Sequence, residues 1–131
     1  MTPELTILGW TLVLAVAQIL MPAFLHTKQA GIAWNASARD HEIVPAGKVT
    51  ARLLRAQKNL YETLPLFIGA ILIAHVAGIH TEHTLLGAQL YLGGRIAYVP
   101  LYAFGVPYVR SLVWVLSMLG LAYLLAAIIF I

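Results

Sequence analysis

The chain has 131 residues, 61% of them hydrophobic and only 10% charged, with a net charge of +3 and no cysteine. Soluble domains are about half apolar and about a quarter charged, and one this small could not hide so much apolar surface, so the solvent is a bilayer and one compact domain is expected. Composition excludes disulfides, thiolate metal sites and a cysteine nucleophile, and the basic residues lie beside membrane segments instead of forming the patch a nucleic acid would need.

A transmembrane helix needs about 20 predominantly apolar residues. Leu5 to Leu25 supplies the first such run, interrupted by Gln18, Pro22 and hydroxyl side chains. It lacks the basic start of a secretory signal, and the small-residue trio Ala36-Ser37-Ala38 lies too far beyond it, so a retained span is expected. A long polar connection follows from His26 to Val49, punctuated by Gly31, Pro45 and Gly47. The second span starts polar near Thr50 and turns apolar from Leu60 to Ile79. Beyond the short connection His80 to Thr84, the third covers Leu85 to Phe104; a Gly105-Val106-Pro107 turn leads into the fourth, Val109 to Ile131.

Lys28, Arg39, Lys48, Arg52, Arg55 and Lys58 gather in and around the first connection, the second has no lysine or arginine, and the third ends at Arg110. The positive-inside rule then places the first and third connections on the cytoplasmic side and both termini opposite, a layout that suits a bacterial inner membrane. The expected fold class is all-α: an integral membrane bundle of four helices, because lipid tolerates only helices or closed barrels and no alternating strand pattern occurs. No small-xxx-small glycine pair stands out to name a helix–helix contact.

Two of these spans carry polar faces. At about 100° per residue, Arg52, Arg55, Asn59 and Glu62 fall within roughly 80° of one another, with Gln57 pointing almost the other way. Tyr91, Arg95, Tyr98 and Tyr102 share a face roughly 60° wide on the third span. Headgroup snorkelling accounts for Arg52 and Lys58 but not for Asn59, Glu62 and Arg95 together. An arginine halfway along a span costs at least about 2.5 kcal/mol and needs a partner; Glu62, the only acidic residue inside any span, is expected to meet it directly or through a shared network. The pattern fits either a structural ion pair or a pocket for a zwitterionic or anionic ligand, in which guanidinium groups match carboxylates and Glu62 holds an ammonium.

Other polar residues read more plainly. His75 is expected as a hydrogen-bonded interior histidine, and Trp10, Trp34 and Trp114 as interface anchors. His80, Glu82 and His83 offer too few ligands to expect a metal site. Pro65 is expected to kink the second span. A four-span drug–proton exporter would need an acidic residue deep in the first span, and that span has only Glu4 at its outer end.

The run Arg55-Ala56-Gln57-x-Asn59-x-x-Glu62-x-x-Pro65-x-Phe67 resembles the signature opening the second span of the MAPEG family, membrane-associated proteins of eicosanoid and glutathione metabolism. Arg95-x-x-Tyr98-x-x-x-Tyr102, followed by Pro107 and Arg110-Ser111, resembles that family's second signature. The resemblance covers essentially the whole chain and implies a four-helix bundle assembled as a homotrimer. It further implies a membrane glutathione transferase or peroxidase-like enzyme acting on a hydrophobic small molecule or lipid that arrives from the bilayer. In its leukotriene C synthase, glutathione transferase and prostaglandin E synthase branches, residues matching Arg55, Asn59 and Glu62 hold the tripeptide, with Tyr98, Tyr102 and Arg95 at the same site. Arg52 is added to this binding set as the neighbouring arginine on the same face. Arg110 matches an arginine that faces the thiol, where a permanent cation favours the thiolate. Ser111 matches a serine near that thiol.

Gln57 matches a glutathione contact yet projects away from Asn59 and Glu62, so it is expected to serve a neighbouring subunit's site. Thr63 stands where leukotriene C synthases carry a tyrosine, and the first connection lacks their adjacent basic pair, for which Lys28 and Arg39 are loose candidates. Because the family also holds a non-catalytic lipid-binding member, a scaffold of the same fold is the alternative expectation.

Overall fold

The computed structural model describes residues 1–32, 37–38 and 47–130; Trp34, Arg39 and Pro45 lie outside them. The described residues form four helices in order: α1 (Pro3–Ala30), α2 (Gly47–Val76), α3 (Glu82–Ala103) and α4 (Pro107–Ile129). Each overruns or shifts from its apolar run because capping chemistry, not hydropathy, sets the ends. Thr2 caps α1 by accepting from the Leu5 amide at 3.3 Å, with Pro3 just inside. Thr81 and Thr84 cap α3 reciprocally, each hydroxyl accepting the other's amide. Three described helices end on a glycine with positive φ, α1 at Gly31 (φ 91°) and two more that close alike. Gly78 (φ 71°) closes α2 with Ile79 bonded back to the Ala74 carbonyl, and Gly105 (φ 70°) closes α3 with Val106 bonded back to Leu101.

The early stop at Gly78 corrects two expectations. The second span ends at Val76 instead of Ile79, and His75 lies exposed in its last turn, not hydrogen-bonded in the interior. The helix runs on through Pro65 to that end.

Three helices, α1, α2 and α4, are long and apolar enough to cross a membrane by length and composition. The exception, α3, spends its inward face on Tyr91, Arg95 and Tyr98, all buried. Its 22 residues still reach about 33 Å, against about 30 Å of hydrocarbon. It packs antiparallel along α4, so it is carried within a four-helix, multi-pass bundle. The 30 residues of α2 reach about 45 Å, so one end projects beyond the hydrocarbon, which accommodates its polar beginning.

The main core joins Leu8, Phe67, Ile71, Ala88, Tyr91 and Leu124, with Phe67 and Tyr91 stacked at 4.1 Å. A smaller cluster of Leu53, Val99 and Ala103 lies at the opposite end, the end that carries Arg52 and Arg110. Interior hydroxyls are satisfied, as a lipid-immersed fold requires: Tyr91 shares a 2.9 Å bond with Thr63, and Ser117 donates to the Tyr91 carbonyl at 3.1 Å. The α3–α4 contact is built on glycine, contrary to the sequence reading. A Cβ on Gly87, Gly94 or Gly120 would stand 2.7–2.8 Å from atoms of the facing helix.

Candidate functional site

At the end of the bundle where α3 turns into α4, the first half of α2, the second half of α3 and the start of α4 converge. Asn59, Tyr98, Tyr102, Arg110, Ser111, Trp114 and Val115 line a cavity of about 430 Å³. Helical periodicity explains the selection. Tyr98 and Tyr102 stand one turn apart on α3, and on α4 Arg110 and Trp114, and Ser111 and Val115, are paired at the same spacing. The Gly105 turn then sets α4 back against α3, so that the Arg110 guanidinium carbon lies 4.5 Å from the Tyr102 ring centroid.

Behind the cavity wall, Arg95 is fully buried. Of the two expected arrangements, the direct Arg95–Glu62 ion pair does not form among the described residues. Arg95 Nη1 donates instead to Asn59 Oδ1 at 2.7 Å, and its guanidinium carbon sits 4.5 Å from the Tyr98 centroid. Asn59 lies nearly one turn before Glu62 on α2 and turns inward. Glu62 is exposed, that is, not covered by the chain's own atoms, and has no ion pair among the described residues.

The remaining sequence-predicted residues distribute around this centre. Arg55 is exposed and reaches the cavity rim, its Nε donating to the Tyr102 hydroxyl at 3.2 Å. Arg52 turns to the α3–α4 connection: Nη1 meets the Ala103 carbonyl at 3.4 Å, and the guanidinium fills the space where a Cβ on Gly105 would stand. There it complements the negative C-terminal end of α3. Gln57 points along its own helix and donates to the Tyr61 hydroxyl at 3.3 Å, outside the cavity lining. Ser111 faces the cavity while its hydroxyl meets the Pro107 carbonyl at 3.4 Å.

Sequence reasoning missed Trp114 and Val115 as lining residues. Trp114, expected as an interface anchor, is half-buried and also lines the cavity. The signal for both was their four-residue spacing from Arg110 and Ser111. Electrostatically the cavity is one-sided among the described residues: Arg110 lines it, Arg55 and Arg95 flank it, and none of the described lining residues is a carboxylate. Such a site favours an anion. Among the described residues no acidic side chain pairs with Arg110.

The MAPEG family model matches residues 7–130. The chain belongs to the MAPEG family. No curated protein and no solved structure matches it. MAPEG membership agrees with the four-helix membrane bundle found above, and both family-like runs of sequence contribute walls to the same cavity.

Proposed function

We propose that this MAPEG-family protein is a membrane glutathione transferase or peroxidase of the kind found in the leukotriene C and prostaglandin E synthase branches, working on an apolar electrophile. The observation that carries the reading is Arg110. It is a guanidinium with no acidic partner among the described residues, lining a cavity of about 430 Å³ beside Asn59, Tyr98, Tyr102 and Ser111. That volume is within the range of about 300–1,000 Å³ usual for small-molecule sites. The donor set fits glutathione: Arg55 at the rim for a carboxylate, Glu62 for the α-ammonium, and Arg110 for the sulfur. Arg110 lowers the cost of charge on the thiol, so its proton is lost to water and the thiolate persists. The thiolate attacks an electrophilic carbon, forming a C–S bond as the leaving group departs with the electron pair. With a hydroperoxide, two glutathione molecules give the disulfide, an alcohol and water.

A homotrimer with both arginine-bearing connections facing the cytoplasm completes the reading. Glu62 and Gln57, outside the cavity of one chain, then belong to sites shared between subunits. The rival reading is a non-catalytic lipid binder. It draws on a second, wholly apolar groove of about 490 Å³ between α1 and α3, lined by Trp10, Val13, Leu14, Ala17, Leu92 and Ile96.

Arg110→Ala discriminates the two. In a transferase, turnover falls by two orders of magnitude or so, in line with loss of one charge-stabilising donor at about 2.7–4 kcal/mol, and the ultraviolet absorbance of bound thiolate disappears. If the purified wild-type protein neither binds glutathione by calorimetry nor turns over with it, the proposal fails and the lipid binder stands.

A further inference from the structure

Tyr102 touches two arginines of the site through different parts of one side chain. Its hydroxyl accepts from Arg55 Nε at 3.2 Å. Its ring lies beneath Arg110, whose guanidinium carbon is 4.5 Å from the centroid, closer than that of Arg55 at 5.8 Å. Tyr98 meets the same ring edge-on, at 5.4 Å between centroids and 68° between planes. The backbone is held as well: the Tyr102 carbonyl accepts the Gly105 amide at 3.0 Å, in the turn that Arg52 covers.

Arg110 has no comparable anchor of its own. No ion pair holds it among the described residues, and an arginine side chain has many rotamers. The face of an aromatic ring attracts a guanidinium electrostatically, and more strongly where water is excluded. Tyr102 is therefore the contact that sets where the Arg110 charge points.

We propose that Tyr102 is a positioning residue with two separable arms. The ring aims Arg110 at the position of a bound thiol, and the hydroxyl fixes Arg55 for a ligand carboxylate. The inference rests on the glutathione reading and adds to it a division of labour within one side chain: the ring governs thiol ionisation and the hydroxyl governs binding.

The test compares Tyr102→Phe with Tyr102→Leu in the full-length purified protein. Glutathione affinity is read by calorimetry and ionisation of the bound thiol by thiolate absorbance against pH. Tyr102→Phe keeps the ring, so affinity drops several-fold while the ionisation midpoint stays at the wild-type value. Tyr102→Leu loses both arms, so the midpoint also rises, by roughly one pH unit. In an Arg110→Ala background the leucine variant adds no further rise, because the ring acts only through that cation. Equal midpoints for the phenylalanine and leucine variants overturn the proposal, as does a leucine effect that survives loss of Arg110. Should the leucine variant fail to fold, Tyr102→Met makes the same comparison. Wild-type protein that binds no glutathione overturns this inference and the proposed function together; binding without the ring–hydroxyl split overturns the inference alone.

Discussion

Asn59 supplies the Arg95 guanidinium with its hydrogen bond, and two of the guanidinium nitrogens, Nε and Nη2, have no hydrogen-bond partner among the described residues. Removing one partner of a buried charged group costs more than removing both. Asn59→Leu should therefore lower stability by about 3 kcal/mol, while adding Arg95→Met should restore most of it. Thermal unfolding of both variants in one detergent checks the order; a double variant less stable than the single one would show that Arg95 is held by something else. The sequence made Arg95 conspicuous through its depth and its face. It did not reveal the partner, because helical arithmetic gives direction and not reach. Glu62 shares the face of Asn59, but only the packing angle between α2 and α3 selects the shorter amide.

Neighbouring glycines on α3 separate two roles within one element. A Cβ on Gly94 would stand 2.8 Å from the Ser117 Cβ, whereas one on Gly93 meets nothing within 4 Å. Gly94→Ala should destabilise by about 1–3 kcal/mol through overpacking against α4. Gly93→Ala should instead stabilise, by about 0.5–1 kcal/mol, because alanine is the better helix former. Melting temperatures of the two variants should move in opposite directions; a shift of the same sign would contradict the packing. The glycine contact escaped sequence reading because Gly87 and Gly94 are seven residues apart, two turns, and the residues they face, Gly120 and Ser117, lie on another helix. The turn before α4 was legible from Gly105-Val106-Pro107, but the role of Arg52 in covering it was not. Arg52 and Gly105 are distant in sequence and meet only in the folded chain.

For the molecule as a whole, the absence of cysteine makes topology directly measurable. Single cysteines at Ala38, in the first connection, and at Glu82, where α3 begins, both replace exposed residues. With the basic connection facing the cytoplasm, a membrane-impermeant thiol reagent added to the opposite face of intact cells or vesicles should label Glu82→Cys and leave Ala38→Cys unmodified. The reverse pattern would invert the orientation, and labelling of both would break the assignment of sides.

Sequence alone determined the solvent, the helical class, the number of helices and the two polar faces, because each depends on composition or on the 3.6-residue period along a single segment. It also marked Arg55, Gln57, Asn59, Glu62, Arg95, Tyr98, Tyr102, Arg110 and Ser111 through their likeness to family runs, and of these Gln57 and Glu62 stay outside the cavity lining. Tertiary structure alone decided which of them meet. Five line one cavity, Arg95 lies behind it on Asn59, Arg55 reaches it through Tyr102, and Arg52 serves a turn instead. The physical reason is the same throughout: a helix fixes directions locally to within a few tens of degrees, whereas contacts of 3 to 5 Å depend on how close glycine and serine let neighbouring helices come.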